Sequence, residues 1–333
     1  MTGKEKLLYF LYLHRTGLTV TVLSLALLLY PLYQSNPYTL GLSNLIAINV
    51  IVVLGLALFI GFAGQISLGH ATFFGMGAYG SAITTVTFGL PPWPAMVLVA
   101  TLVGLFAWII GVPILRLSGH YLAMATLGMN FVFHTVLLQW DQVTGGPSGF
   151  AGIPLLTLGS FAFDDEVRLH YLLWGFALLF LLLCLNLVRS GVGRGLAALA
   201  GEETAAAALG VNTQVAKLKV FILSAVLAAI AGSLFAHTYS YISPDSFDIF
   251  VATDFVIMVV IGGMGSVWGV LFGTGTITLL PEWVDFFETY KDFVHGGILV
   301  LVLIFLPQGL VAGLVDMVRV RMVLRRQKYA SDR

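Results

Sequence analysis

The apolar positions of this chain gather into ten stretches separated by short polar or glycine-rich breaks: 18–33, 40–60, 68–88, 94–115, 121–139, 170–188, 216–239, 251–261, 267–280 and 293–311. A bilayer core about 30 Å thick takes roughly 20 residues of helix to cross. The pattern therefore predicts an all-α polytopic membrane protein of about ten transmembrane helices. Two stretches, 251–261 and 267–280, are short and divided only by Gly262-Gly263-Met264-Gly265-Ser266. They read either as separate spans or as half-helices around a re-entrant break, since irregular backbone at membrane depth has to be buried in protein or line a cavity.

Composition excludes the soluble alternative. Of 333 residues, 59% are hydrophobic and only 10% charged, less than half the charged share of an ordinary globular domain. The mean hydropathy is +0.97, and 37 glycines suit helices that approach one another closely. The single cysteine, Cys184, lies in an apolar run, so an intrachain disulfide or a cysteine metal cluster is excluded and a small buried hydrophobe is expected. Formal net charge is zero, so the distribution of charge carries the information, and nothing suggests nucleic acid as a partner.

That distribution sets an orientation. With the N-terminus inside, every basic residue of the 16 except Arg168 and Lys291 falls on the cytoplasmic side, as the positive-inside bias requires. The outer loops then collect Asp141, Asp164, Asp165, Glu166, Asp245, Asp248, Glu282, Asp285, Glu288 and Asp292. Both termini are expected to be cytoplasmic, which needs an even number of helices. The basic start, with Lys4, Lys6 and Arg15 ahead of the first apolar run, lacks a small-x-small cleavage site after it. An uncleaved first helix is the reading.

Residues 1–318 read as one integral domain followed by a basic cytoplasmic tail, 319–333. An external loop, 140–169, carries Thr144-Gly145-Gly146-Pro147-Ser148-Gly149 and Gly152-Ile153-Pro154, a density of glycine and proline that predicts ordered turns. A cytoplasmic loop, 190–215, has a glycine-rich entry and then an alanine-rich stretch of high helix propensity ending at Gly210.

Two sets of five helices would run in opposite directions, so the third and eighth spans should correspond. The third opens on Gly61-Phe62-Ala63-Gly64-Gln65-Ile66-Ser67-Leu68-Gly69-His70, and the eighth runs into Gly262-Gly263-Met264-Gly265-Ser266. Paired interruptions of this kind in a transporter point to a site near the bilayer midplane. Close packing of glycine faces is the competing explanation.

No phosphate-binding G-x-x-x-x-G-K-[ST] loop, H-E-x-x-H or G-x-S-x-G element is present, so no catalytic residue and no metal site is expected. Ion-coupled transporters bury carboxylates, yet Asp254 is the one acid inside a span, near its outer end, where a helix N-terminal charge or an interfacial role is expected. His70, His134 and His237 are read as hydrogen-bonded packing residues, with His70 the strongest ligand candidate because of its glycine-rich surroundings. The other in-membrane polar groups are neutral, among them Asn49, Gln65, Ser67, Thr126 and Asn130. Gln65, Ser67, His70 and Asn130, opposed by Gly262, Gly263 and Gly265, are the candidate substrate path, with interhelical hydrogen bonding the alternative at each. In the 190–215 loop, a short helix of small residues with Glu202 and Glu203 reads as a docking element, its rim carrying Arg194 and the carboxylates and its end set by Gly210.

Several of these stretches together resemble one family: the inner-membrane permeases of branched-chain amino acid ABC importers, of the LivM and LivH type. The matching pieces are 61–70, Thr144-Gly145-Gly146 with Gly152-Ile153-Pro154, Gly201-Glu202-Glu203 through Ala208-Leu209-Gly210-Val211-Asn212, and 261–266. The resemblance implies a bacterial inner-membrane, multi-pass permease subunit working by alternating access, without a cofactor of its own. It also implies partners: a second, homologous permease, two cytoplasmic ATPase subunits that use ATP and magnesium, and a periplasmic substrate-binding protein. Residues 194–212 would then seat in the ATPase, although Ala197, Ala198, Leu199 and Ala200 stand where such segments often carry arginine. The cargo implied is branched-chain or other small amino acids; urea or short amides, or a lone ion-coupled transporter, are the alternatives.

Overall fold

The computed structural model describes residues 15–283 apart from 35 and 160, together with 297. The expected tenth span, the basic tail and the first basic residues lie outside the described residues. Among the described residues the chain is helical almost throughout, and each of the other expected spans is a helix. In order these are α1 (Arg15–Tyr33), α2 (Pro37–Ala57), α3 (His70–Val86), α4 (Pro92–Ile114) and α5 (His120–Gln139). The short α6 (Asp141–Thr144) leads to α7 (Glu166–Arg189), α8 (Gly191–Gly201), α9 (Glu203–Ala208), α10 (Thr213–Tyr239), α11 (Ile249–Gly262) and α12 (Val267–Trp283). Among the described residues, five segments are long and apolar enough to cross a membrane: Pro37–Phe62, Pro92–Ile114, His120–Gln139, Glu166–Arg189 and Thr213–Tyr239. With 14 and 17 residues, α11 and α12 are shorter than a full crossing.

Burial divides these helices into an inner and an outer set. Ala47, Ile48, Val50, Ile51, Val52 and Val53 of α2 all have no exposure, so that helix is apolar on every side because it is packed on every side. Close backbone approach explains much of the glycine content. A side chain at Gly77 of α3 would run into the Ala229 carbonyl of α10, and one at Gly232 of α10 into the Phe74 carbonyl of α3. On α4, Gly111 rests against Leu218 and Phe221 of α10. Thus α10 is the hub, in contact with α2, α3 and α4. By contrast α4, α5 and α7 leave Leu102, Leu105, Phe131, Val132 and Leu179 more than half exposed, which is the composition of a lipid-facing surface.

The molecule has two distinguishable ends. The 140–169 segment folds into ordered turns, and two small antiparallel ladders form there, β1 (Phe150–Ala151) with β4 (Tyr241–Ile242) and β2 (Thr157–Leu158) with β3 (Phe161–Ala162). From there α7, 24 residues and so roughly 36 Å long, runs to the opposite end and delivers the chain into α8 and α9. Loop 190–215 is therefore two short helices rather than one. Gly201 ends α8, Glu202 is extended (φ −158°, ψ 114°), and α9 starts at Glu203.

Candidate functional site

The first glycine-rich break lies at the α8–α9 end. After Ala57 the helix widens into a π-helical turn, Leu58–Phe62, a device that shifts the register of a helix just before it stops. Gly64 then takes φ +66°, a left-handed conformation open to glycine at little steric cost. The segment is held from three sides. The Leu68 amide donates to Thr126 Oγ1 of α5 at 3.0 Å, Gly64 abuts the backbone of Ala200 in α8, and Gly61 abuts the carbonyl of Met264. The two interruptions singled out in the sequence thus touch each other, next to the α8–α9 segment.

Their depth follows from helix geometry. Gly111 packs at the level of Phe221 and, about five turns from the start of α4, lies roughly 28 Å from the strand end. The Phe221 ring lies 5.2 Å from Phe59 in a tilted contact and 5.4 Å from Phe73 edge-to-face, and the His70 ring sits 6.2 Å from Phe59 and 5.9 Å from Phe73. His70 therefore stands about one hydrocarbon thickness from the strand end, not halfway through the bundle.

The candidate path residues separate on this framework. Gln65 is half-buried and donates from Nε2 to the Ala63 carbonyl at 3.2 Å. Ser67 is fully buried, its Oγ 3.4 Å from His70 Nδ1, and it accepts from the Gly69 amide at 3.3 Å. His70 is buried too. Asn130 lies apart, buried in α5, with Nδ2 donating to the Phe247 carbonyl at 3.4 Å. Of the opposing glycines, Gly262 packs on the Gly269 carbonyl, where α11 and α12 fold back on each other, Gly263 takes φ +97°, and Gly265 faces open space. A cavity of about 340 Å³ nearer the strand end is lined by none of these seven residues; Asn49, Asp254, Met258 and Thr278 are in its wall. The helix-terminal role expected of Asp254 belongs to Asp248, whose carboxylate accepts from the Val251 amide at 2.9 Å. Asp254 lies more than a turn inside α11.

The α8–α9 segment is anchored at two points. Ser190 caps α8 by accepting from the Gly193 amide, and Gly193, Leu196 and Leu199 are buried at helical spacing. In α9, Ala206 is buried and Glu203 Oε2 accepts from Lys217 Nζ of α10 at 2.6 Å. Lys217 has only 3% of its side chain exposed. Of the expected rim residues, Arg194 and Glu202 are exposed, while Glu203 leans inward. Arg194 Nη1 donates to the Arg189 carbonyl and Thr204 Oγ1 to Glu202 Oε1. Gly210 follows α9 at φ +86°. Two residues were missed in the sequence. Leu209, the one large apolar side chain in its alanine-rich stretch, is 82% exposed at the tip. From the sequence Lys217 reads only as one of the cytoplasmic charges, because its partner is 14 positions away across a turn, beyond any local pattern.

Residues 38–303 match the family described as branched-chain amino acid transport system / permease component. The chain is 33% identical over 295 residues to the high-affinity branched-chain amino acid transport system permease protein LivM of Escherichia coli (strain K12), covering 82% of this chain and 69% of that one. It is 29% identical over 283 residues to permease protein BraD of Pseudomonas aeruginosa, covering 78% and 90%. Over 124 residues it is 33% identical to permease protein LivH of Escherichia coli (strain K12), covering 36% and 40%. No solved structure matches. The chain belongs to the permease components of branched-chain amino acid transport systems.

Proposed function

We propose that this chain is one permease half of a bacterial inner-membrane ABC importer for branched-chain or other small amino acids. Its single integral domain, 1–318 with a basic tail 319–333, crosses the membrane about ten times as an inverted pair of five-helix units, both termini inside. A homologous permease completes the pathway, a periplasmic binding protein delivers cargo at loop 140–169, and two ATPase subunits hydrolyse ATP below. The observation that carries the reading is the α8–α9 segment: an outward tip of small residues and Leu209 on a base fixed both to α10 and to the first glycine break. Such a tip fits a groove on a partner, with Arg194, Glu202 and Gly210 around it. Gln65, Ser67, His70 and Asn130 with Gly262, Gly263 and Gly265 are proposed to shape the inner part of the path. Half-buried Gln65 is the member best able to meet cargo, and Ser67, His70 and Asn130 set its wall from behind.

Affinity purification of the tagged chain from its native membrane in mild detergent, with mass spectrometry and an ATPase assay, tests this. Two ATPase subunits, a second permease and ATP turnover are expected to accompany it. Leu209→Asp combined with Gly210→Pro, which forbids the φ of +86°, should remove the ATPases while leaving membrane insertion intact. A wild-type chain that emerges alone, or a double variant that keeps its ATPases, overturns the reading.

A further inference from the structure

An ammonium as deeply buried as that of Lys217 is costly unless paired and hydrogen-bonded. Its partner, Glu203, is the first residue of α9, and the extended conformation at Glu202 turns that helix so that residues 203 and 206 face the bundle while 205 and 209 face away. The other end of the contact is the second turn of α10, the hub against which α2, α3 and α4 pack. We infer that the Glu203–Lys217 ion pair is a strut that passes movement of the α8–α9 segment into α10, so that Glu203 positions the machinery instead of docking the ATPase. The inference rests on the permease reading above and reassigns one residue within it. Leu196 and Leu199 hold α8 by apolar packing, a contact that can slide. A 2.6 Å charge-assisted hydrogen bond to a buried ammonium is directional and keeps its length under load.

The test uses the whole complex reconstituted in proteoliposomes, with leucine uptake and ATP hydrolysis followed together. For Glu203→Gln, uptake per ATP hydrolysed should fall about tenfold, the scale of one charge-assisted hydrogen bond, while ATPase subunits remain bound in wild-type amount. The exchanged pair Glu203→Lys with Lys217→Glu should recover a substantial part of that ratio, which the loss of a carboxylate that docks the ATPase would not allow; a pair of merely structural importance would lower uptake and hydrolysis together and leave the ratio unmoved. If Glu203→Gln sheds ATPase subunits in step with lost uptake, Glu203 docks the partner and the strut is refuted. An unchanged uptake-to-hydrolysis ratio refutes it as well. A wild-type preparation without ATPase subunits refutes the permease reading and the strut with it, so the two failures are told apart by the reference sample.

Discussion

Buried histidines in this bundle act as staples between distant helices. His237 of α10 sits between Ser81 Oγ of α3 at 2.8 Å and the Pro154 carbonyl of the external loop at 2.7 Å. His170 of α7 likewise lies between Ser43 Oγ of α2 at 3.3 Å and the Leu27 carbonyl of α1 at 3.1 Å. Each ring satisfies polar groups that would otherwise be stranded in apolar surroundings, where a lost partner costs about 1–3 kcal/mol. His237→Ala is therefore expected to destabilise the protein by about that amount, read as a lower melting temperature of the purified complex. The external loop should also become more susceptible to protease, and an unaltered melting curve would contradict the staple. His70 differs: Nδ1 lies near Ser67 Oγ, and Nε2 has no hydrogen-bond partner among the described residues. The sequence distinguished packing from ligand roles for His237 by its plain surroundings. It could not name Ser81 or Pro154, because those partners lie 156 and 83 positions away.

Helices here meet through glycines, and which glycine matters is decided by the neighbour, not by the motif. Gly77→Val should drive a side chain into the Ala229 carbonyl, and overpacking of a rigid backbone contact costs about 1–3 kcal/mol or more. Gly175 of α7 faces open space, so Gly175→Ala should leave stability equal or raise it by up to about 1 kcal/mol. Size-exclusion profiles of the two variants in detergent check the contrast: aggregation for the first, a sharp wild-type peak for the second. Glycine density was legible in the sequence as close packing. At Gly262 the neighbour is the Gly269 carbonyl, a contact between α11 and α12 that glycine density alone could not name. Helix positions were legible within a few residues because desolvation forces every backbone group in an apolar span into helical hydrogen bonds. What the break packs against was not legible: Gly64 meets Ala200 and Gly61 meets Met264, partners 136 and 203 positions away.

At the scale of the whole molecule, the 24 residues of α7 separate the strand end from the α8–α9 end, and the proposed orientation puts one bilayer between them. If α7 spans the bilayer once, the β2–β3 hairpin and the tip of α9 lie on opposite sides of the membrane, and the charge bias puts the α9 tip inside. Leu158 in the hairpin is 64% exposed and Leu209 is 82% exposed, so a cysteine at either position is open to reagent. The native Cys184 is fully buried, and Cys184→Ala supplies a background without a competing thiol. With a membrane-impermeant maleimide, Leu158→Cys should label in right-side-out vesicles and Leu209→Cys only in inside-out vesicles. Addition of purified ATPase subunits to the inside-out vesicles should then protect Leu209→Cys and leave Leu158→Cys unaffected, if the α9 tip docks as proposed. Labelling of both sites from the same side would mean that α7 does not cross, which would undo the orientation and the coupling role together. Labelling from opposite sides without protection would preserve the orientation but move the ATPase contact away from Leu209, leaving Arg194 and Glu202 as the exposed residues of that segment to be probed next.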